Sequence, residues 1–246
     1  MNFIKKHLSS FAFLYFILII SIFSGKLFLP YEGIDSEESA KEQAAERSVL
    51  VEWGTASWSG IILSSNLSET KILTIFHEES MKKISSSQTK KIRISLENGK
   101  KYEASVKKWN NCNELSVFTI PSSTLSNLPA IRLEPDTSKI SERLFSFGHP
   151  LGLNLHYAEG FLTSKGNKIK PCGMITNGFS GGTIPGQTGS GIWNFKGELS
   201  GMIVATSAYP IKTSDSKGNI IGSSTIPITF LGRYIPSYEI KSFLQD

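Results

Sequence analysis

A glycine-rich segment contains a residue whose hydroxyl could act as a nucleophile. The segment reads PGQTGSGIWN, from Pro185 to Asn194, and Thr188 lies in its middle. Glycines at 186, 189 and 191 allow backbone angles and close approaches that other residues resist. A backbone bent this sharply directs its amides toward a ligand. The segment therefore predicts either a hydroxyl nucleophile in an anion-binding turn or an ordinary turn.

Two further residues supply what a weak hydroxyl nucleophile needs. The segment KILTIFHEE brings a strand to its end near His77, and NNCNELSVFTI places Glu114 just ahead of an apolar strand. A neutral imidazole takes the proton of the hydroxyl, and a carboxylate holds that imidazole in the required tautomer. Backbone amides around residues 186 to 188 would stabilise the developing oxyanion. Each residue alone is typical of a structural or solvated side chain, so only their combination favours nucleophilic catalysis.

Short strands must position these residues. Apolar, β-branched runs such as SVLVEW, SGIILSS and ELSVFTI are separated by clusters of Gly, Pro, Asn and Ser. Alternating runs flank Asn98-Gly99, a pair that favours a tight hairpin turn. Helical periodicity is scarce, although PSYEIKSFLQ predicts a C-terminal helix with Pro236 near its start. Many short strands over about 200 residues predict β-barrels or a sandwich.

The first 48 residues differ from the rest. Lys5 and Lys6 precede a nearly unbroken apolar run from Phe11 to Phe23, which indicates a signal peptide or a membrane anchor followed by an exported domain. We assign residues 1–29 to this signal-anchor or signal peptide and favour an uncleaved membrane helix. Residues 30–48 are interpreted as an acidic spacer with a short exposed helix, and residues 49–246 as the folded domain. The domain is expected on the extracytoplasmic side, periplasmic or extracellular.

Charge, histidine and cysteine usage exclude several classes of function. The net charge is +5, and nine Lys or Arg residues lie between Lys82 and Lys108, which is typical of a solvated strand face or of a surface for an acidic partner. No aromatic interleaving or known motif indicates nucleic-acid binding. The four histidines form no ligand cluster, so neither a metal nor another cofactor is expected. Cys112 and Cys172 are free to pair in an exported protein, but the sequence leaves this open.

Five segments in order resemble the trypsin-like, chymotrypsin-fold serine proteases, especially the HtrA-like bacterial branch. The five segments, spread between Ser59 and Leu244, are SGIILSS with ILTIFH, NELSVFTI, FSFGHPLGL with EGFLTS, PGQTGSGIWNFKGELSGMIV and YIPSYEIKSFL. The resemblance implies two six-stranded antiparallel β-barrels with the site between them. It assigns His77 as general base, Glu114 as orienting acid and Thr188 as nucleophile. The amides of Gly186 and Thr188 would form the oxyanion hole.

The sequence departs from this family at three positions. Thr188 replaces the usual Ser, Glu114 replaces Asp, and Phe76 precedes the histidine where a small residue is usual. The threonine methyl is the serious change, because it stiffens χ1 and takes space near the imidazole and the scissile carbonyl. Ser190 is an alternative nucleophile, although its place in the turn breaks the family pattern.

The resemblance also predicts a substrate pocket. Four residues, on the segment before Thr188 and on a later strand, are expected to line it: Gly182, Thr183, Ile203 and Ala205. The segment from Met174 to Gln187 carries no charge, so a small or medium apolar preference is expected. The predicted function is therefore an exported or membrane-anchored endopeptidase acting on polypeptides. The alternative is a catalytically inert protease fold that binds or inhibits a protein partner, and the oligomeric state stays open.

Overall fold

Twelve strands, two α-helices and a 3₁₀ helix (Pro150–Gly152) position the site in the described part of the chain. The structure, a computed structural model, describes residues 37–77, 91–121, 128–169 and 172–245. In chain order the elements are α1 (Glu37–Arg47), β1 (Ser48–Trp53), β2 (Ala56–Ser65), β3 (Glu69–Ile75), β4 (Ile92–Ser95), β5 (Lys101–Trp109), β6 (Leu115–Pro121), β7 (Arg143–Gly148), β8 (His156–Ile169), β9 (Met174–Phe179), β10 (Gly191–Trp193), β11 (Leu199–Ser214), β12 (Ile220–Pro236) and α2 (Ser237–Gln245).

The first barrel closes in the strand order β1-β2-β3-β6-β5-β4, with antiparallel pairs throughout. Successive side chains of a strand point to opposite faces, so the apolar set of each strand fills the barrel. Its buried core includes Val49, Val51, Ile62, Ile72 and Phe118. The predicted hairpin at Asn98-Gly99 is confirmed, because β4 pairs with β5 and Gly99 adopts a φ of +77° in the turn.

The second barrel closes in the order β10-β11-β12-β9-β8-β7, again with antiparallel pairs. Its core consists of Leu144, Leu162, Phe179, Ile192, Ile203 and Tyr234. The C-terminal helix α2 follows Pro236 directly and buries Ile240 and Phe243. Two six-stranded antiparallel barrels and a short C-terminal helix are therefore confirmed.

Strands β11 and β12 are longer than the sequence pattern indicated. They contain 16 and 17 residues and pair from Gly201 with Pro236 out to Ser214 with Ile220. Their outer halves form a two-stranded ribbon, because β9 pairs with β12 only near residues 232 to 234. Ile220 and Ile221 on this ribbon are exposed.

Helix α1 differs from the exposed spacer helix that the sequence suggested. It spans Glu37–Arg47, inside the segment where a short helix was expected, but Ala40, Ala44 and Arg47 are buried. The Arg47 guanidinium donates hydrogen bonds to the carbonyls of Ile62, at 3.1 Å, and Pro129, at 3.1 Å. Alanines four residues apart give the helix a narrow face that approaches the barrels closely. The segment lacks a wide apolar stripe, and this is why the sequence did not indicate packing.

The predicted membrane segment cannot be compared with the fold, because the apolar run from Phe11 to Phe23 lies outside the described residues. Among the residues that are described, no helix has the length and apolar character that crossing a membrane requires.

Candidate active site

The first barrel brings the predicted base and acid into contact. His77 follows the end of β3, and its Nδ1 lies 2.7 Å from Oε2 of Glu114. The His77 side chain is 58% exposed and that of Glu114 is 22% exposed. A histidine nitrogen bound to a carboxylate in this way is held in one tautomer and one orientation. The extra methylene of Glu114, compared with the usual Asp, therefore does not prevent this contact.

An unusual backbone turn aims the carboxylate. Glu114 has a φ of +56°, a left-handed conformation that costs a non-glycine residue about 1–2 kcal/mol. The side chain of Asn110 supports the turn, since its Oδ1 accepts hydrogen bonds from the amides of Cys112, at 2.8 Å, and Asn113, at 3.2 Å. Sequence reasoning did not single out Asn110. The available signal was the Asn-rich run from Asn110 to Asn113, since Asn side chains commonly bond to backbone amides in turns.

The ring of Phe76 packs into the core of the first barrel. Its side chain is 1% exposed, and its ring packs edge-to-face against Trp58 at 5.1 Å and Phe118 at 5.6 Å. The amide of Phe76 donates to the carbonyl of Glu114 at 2.8 Å. The large residue before the histidine is thus accommodated by an aromatic cluster and also ties the base segment to the acid segment.

The Thr188 loop, residues 185 to 190 ahead of β10, contains two amides without an acceptor in the part of the chain that the structure describes. The amide of Gln187 donates to Ile184 O at 3.0 Å, and the amide of Gly189 donates to Ile203 O at 2.8 Å. Within the described ranges, the amides of Gly186 and Thr188 have no acceptor. Backbone amides without an acceptor are the kind of donor that binds an oxyanion.

Glycine is required at two positions of this loop. Gly186 has a φ of +94°, and a Cβ there would lie 2.3 Å from the amide nitrogen of Leu151. Gly189 has a φ of +87°, and a Cβ there would lie 2.0 Å from the carbonyl oxygen of Ser59. The sequence prediction of a sharply bent, closely approached turn is therefore confirmed at Gly186 and Gly189.

A cavity of about 280 Å³ brings His77 and Thr188 together. Its lining residues come from both barrels and are Ala56, Ser57, Trp58, Ile75, Phe76, His77, Pro185, Gly186 and Thr188. Thr188 is half-buried. Among the described residues, no hydrogen bond of the Thr188 hydroxyl is present, to His77 or to any other group. Looser contacts of this kind are common in sites without substrate.

The alternative nucleophile Ser190 faces a different direction. It is fully buried, and a Cβ added at Gly148 would lie 1.8 Å from its Oγ. Ser190 therefore packs against β7 and is inaccessible to a polypeptide. Of these two hydroxyl residues, only Thr188 lines the cavity that His77 also lines.

None of the four predicted pocket residues is among those that line the cavity beside His77 and Thr188. Ile203 is 2% exposed and belongs to the core of the second barrel, so its side chain is not available to line a surface pocket. Side chains of a strand alternate between its two faces, and that of Ile203 lies on the inner face of β11. Thr183 is 1% exposed and its methyl lies against Gly232, where an added Cβ would approach it to 2.3 Å. Gly182 and Ala205 remain half-buried.

A disulfide joins the acid-bearing turn to the second barrel. Cys112, two residues before Glu114, is bonded to Cys172 in the turn between β8 and β9. The sequence left this pairing open, because two cysteines separated by 60 residues carry no register information by themselves.

Comparisons with known proteins agree with this fold. A search of curated proteins gives no significant match. Among solved structures, the chain is similar to a variant of the HtrA-type protease AlgW with a tripeptide, with a TM-score of 0.62, 18% identity, and coverage of 85% of this chain and 62% of that one. The serine endoprotease from Yersinia pestis has a TM-score of 0.61 and 20% identity, with coverage of 85% of this chain and 65% of that one. The inactive form of the Rv3671c protease has a TM-score of 0.61 and 11% identity, with coverage of 84% of this chain and 91% of that one.

The chain spans less than two thirds of the length of the first two of these structures, and identities this low show a shared fold. The sequence itself matches the trypsin-like peptidase domain over residues 58–202, which is more than half of the 246 residues. The matched region contains His77, Glu114 and the whole Thr188 loop. The predicted resemblance is confirmed, and the chain belongs to the family of trypsin-like peptidase domains.

Proposed function

We propose that this chain is an endopeptidase that hydrolyses peptide bonds by acyl transfer through the hydroxyl of Thr188. One combined observation carries the proposal. The 2.7 Å contact between His77 and Glu114 lies beside a cavity that Thr188 also lines, and the amides of Gly186 and Thr188 have no acceptor among the described residues. Base, orienting acid, hydroxyl and oxyanion donors are the parts that acyl transfer requires.

In the proposed first step, His77 accepts the proton of the Thr188 hydroxyl as that oxygen attacks the scissile carbonyl. Glu114 holds the proton-bearing Nδ1 and stabilises the imidazolium that forms. The amides of Gly186 and Thr188 donate to the negative oxygen of the tetrahedral intermediate. Removing one such donor in proteases costs about 10²–10³ in kcat. His77 then gives its proton to the departing amine, and a threonyl ester remains.

In the second step, a water molecule hydrolyses this ester. His77 takes a proton from the water, the hydroxide attacks the ester carbonyl, and the proton returns to the Thr188 oxygen as the carboxylic acid leaves. The same two amides stabilise the second oxyanion. The chain's own residues therefore supply every proton transfer of the proposed cycle.

Hydrolysis of an unfolded protein tests the proposal. We expect slow cleavage of denatured casein by the wild type and none by His77→Ala or Thr188→Ala, since these variants remove the base or the nucleophile. Ser190→Ala serves as the control, because that hydroxyl is buried away from the cavity. Cleavage that is unchanged in both Thr188→Ala and His77→Ala would rule out the proposed roles.

The proposed substrate preference is a small or medium apolar residue before the scissile bond. The segment from Met174 to Gln187 carries no charge, so it offers no carboxylate to an Arg or Lys side chain of a substrate. Cleavage of a peptide library measures the preference. A product set dominated by Lys, Arg or Glu at that position would contradict it.

One observation favours a second candidate, an inert protease fold that binds or inhibits a protein. The Thr188 hydroxyl has no hydrogen bond among the described residues, and a threonine methyl restricts χ1. Fluorophosphonate labelling separates the two candidates. Labelling of wild type but not of Thr188→Ala supports the enzyme, whereas an unlabelled protein that stays inert as Thr188→Ser supports the binding module.

We also propose that the folded domain lies outside the cytoplasm behind a membrane anchor. Lys5 and Lys6 ahead of the apolar run support this orientation. Protease added to spheroplasts should digest the domain, and its protection in intact spheroplasts would contradict the proposed topology.

A further inference from the structure

Ser59 is a fully buried residue of β2 in the first barrel, and it contacts the Thr188 loop of the second barrel. Its amide donates to the carbonyl of Thr188 at 2.9 Å, and its Oγ donates to the carbonyl of Gly186 at 2.9 Å. The same Oγ accepts a hydrogen bond from the amide of His149 at 2.8 Å. Ser59 is itself held by Thr74, whose hydroxyl donates to the Ser59 carbonyl at 2.6 Å.

Two further hydrogen bonds hold the remaining carbonyls between residues 185 and 188 of this loop. The Leu151 amide donates to the carbonyl of Pro185 at 2.8 Å, and the Ser190 amide donates to that of Gln187 at 2.9 Å. Together with the two bonds from Ser59, every carbonyl from residue 185 to residue 188 has a donor. Each peptide plane of the loop is therefore fixed by a hydrogen bond.

The direction of the two unengaged amides follows from these planes. In a trans peptide the N–H and the C=O point in opposite directions, so a carbonyl that is held fixes the direction of the N–H in the same plane. Gly186 has no side chain to restrict its rotation. The Gly186 amide shares its plane with the Pro185 carbonyl, and the Thr188 amide shares its plane with the Gln187 carbonyl. The Ser59 hydroxyl holds the one plane between these two, that of the Gly186 carbonyl, and so fixes how the two unengaged amides are oriented relative to each other.

We propose that Ser59 is a positioning residue that aligns the amides of Gly186 and Thr188 from the opposite barrel. This inference rests on the proposed endopeptidase function for its kinetic meaning. Serine suits the position because one small hydroxyl both donates to Gly186 and accepts from His149. Little room exists for more, since a Cβ added at Gly148 would lie 3.0 Å from the Ser59 oxygen.

The test compares Ser59→Ala with Ser146→Ala, a matched control that removes another buried serine hydroxyl, on β7. The Ser146 Oγ has no hydrogen-bond partner among the described residues. We expect Ser59→Ala to lower kcat about 10- to 100-fold while KM changes less than about twofold, because misaligned donors lose transition-state and not ground-state binding. Ser146→Ala should keep the wild-type kcat.

A second readout does not need turnover. In ¹⁵N NMR spectra, the Gly186 and Thr188 amide signals should shift and broaden in Ser59→Ala and stay at their wild-type positions in Ser146→Ala. If the wild type cleaves nothing, the endopeptidase proposal fails, and these signals alone decide the role of Ser59. Wild-type signals in Ser59→Ala, or an equal loss of kcat in Ser146→Ala, would overturn the inference.

Ser59→Cys guards against a folding defect, since a thiol keeps a weak donor and a weak acceptor. Its kcat is expected between those of Ser59→Ala and wild type. If Ser59→Ala does not fold, wild-type kcat and wild-type amide signals in Ser59→Cys would overturn the inference.

Discussion

At the scale of single residues, one methyl group distinguishes Thr188 from the serine that is usual at this position in the family. Thr188→Ser removes the methyl and leaves the hydroxyl on the cavity that His77 lines. Relief of about 1.4–3 kcal/mol of barrier should raise kcat roughly 10- to 100-fold. The measurement is turnover of an unfolded substrate and the rate of fluorophosphonate labelling. Equal rates in wild type and Thr188→Ser would show that the methyl is not the handicap.

His149 makes stability depend on pH. Burial lowers the pKa of His149, opposed by the hydrogen bond of its Nδ1 to the carbonyl of Leu153 at 3.0 Å. Below the ordinary pKa of about 6.5, the unfolded chain binds a proton that the folded protein resists. The stabilising contribution is therefore full above about pH 6.5 and falls as the pH drops toward the lowered folded pKa.

We expect this group to add a slope of at most about 1.4 kcal/mol per pH unit to the free energy of unfolding below pH 6.5. Urea unfolding at several pH values measures the slope, and His149→Gln should flatten it. The exposed His156 gives the control variant His156→Gln, which should keep the wild-type slope. An identical slope in wild type and His149→Gln would contradict the assignment.

At the scale of elements, α1 is expected to stabilise the domain. Ala44→Glu places a charge on the buried face and should lower the free energy of unfolding by about 1–3 kcal/mol. Ala45→Glu makes the same change at the neighbouring half-buried position and should stay within about 0.5 kcal/mol of wild type. Thermal and urea unfolding measure both. Equal effects at the two positions would mean that α1 does not dock in solution.

Local patterns predicted the strands well and the contacts between distant segments poorly. The alternation of apolar and polar residues around Asn98-Gly99 predicted the β4–β5 hairpin, and Pro236 predicted the start of α2. The inward direction of Phe76 and the burial of α1 depend on which surfaces meet, and a single sequence does not state this. The motifs indicated His77, Glu114 and Thr188 because their chemistry restricts residue type. They did not indicate Ser59, since a serine in a strand is ordinary until its partners are known.

At the scale of the whole molecule, the Cys112–Cys172 disulfide links the two barrels. Closing a loop of about 60 residues stabilises a protein by about 4 kcal/mol in the chain-entropy model, and measured values are commonly 2–4 kcal/mol. The double variant Cys112→Ser/Cys172→Ser should lose about that amount. Urea unfolding with and without dithiothreitol measures it, and the double variant itself should not respond to the reductant. A wild-type protein of unchanged stability in dithiothreitol would contradict the prediction.

Because the candidate site is divided between the two barrels, its assembly depends on the folding of both. His77 and Glu114 belong to the first barrel, Thr188 belongs to the second, and the Thr188 loop takes two of its hydrogen bonds from Ser59 across the cleft. A chain in which only one barrel has folded holds an incomplete set of reacting groups and an unsupported loop. In the proposed endopeptidase, the reacting groups would come together only after both barrels have folded. Under the proposed function, a newly made copy would therefore not cut itself before both of its barrels are in place.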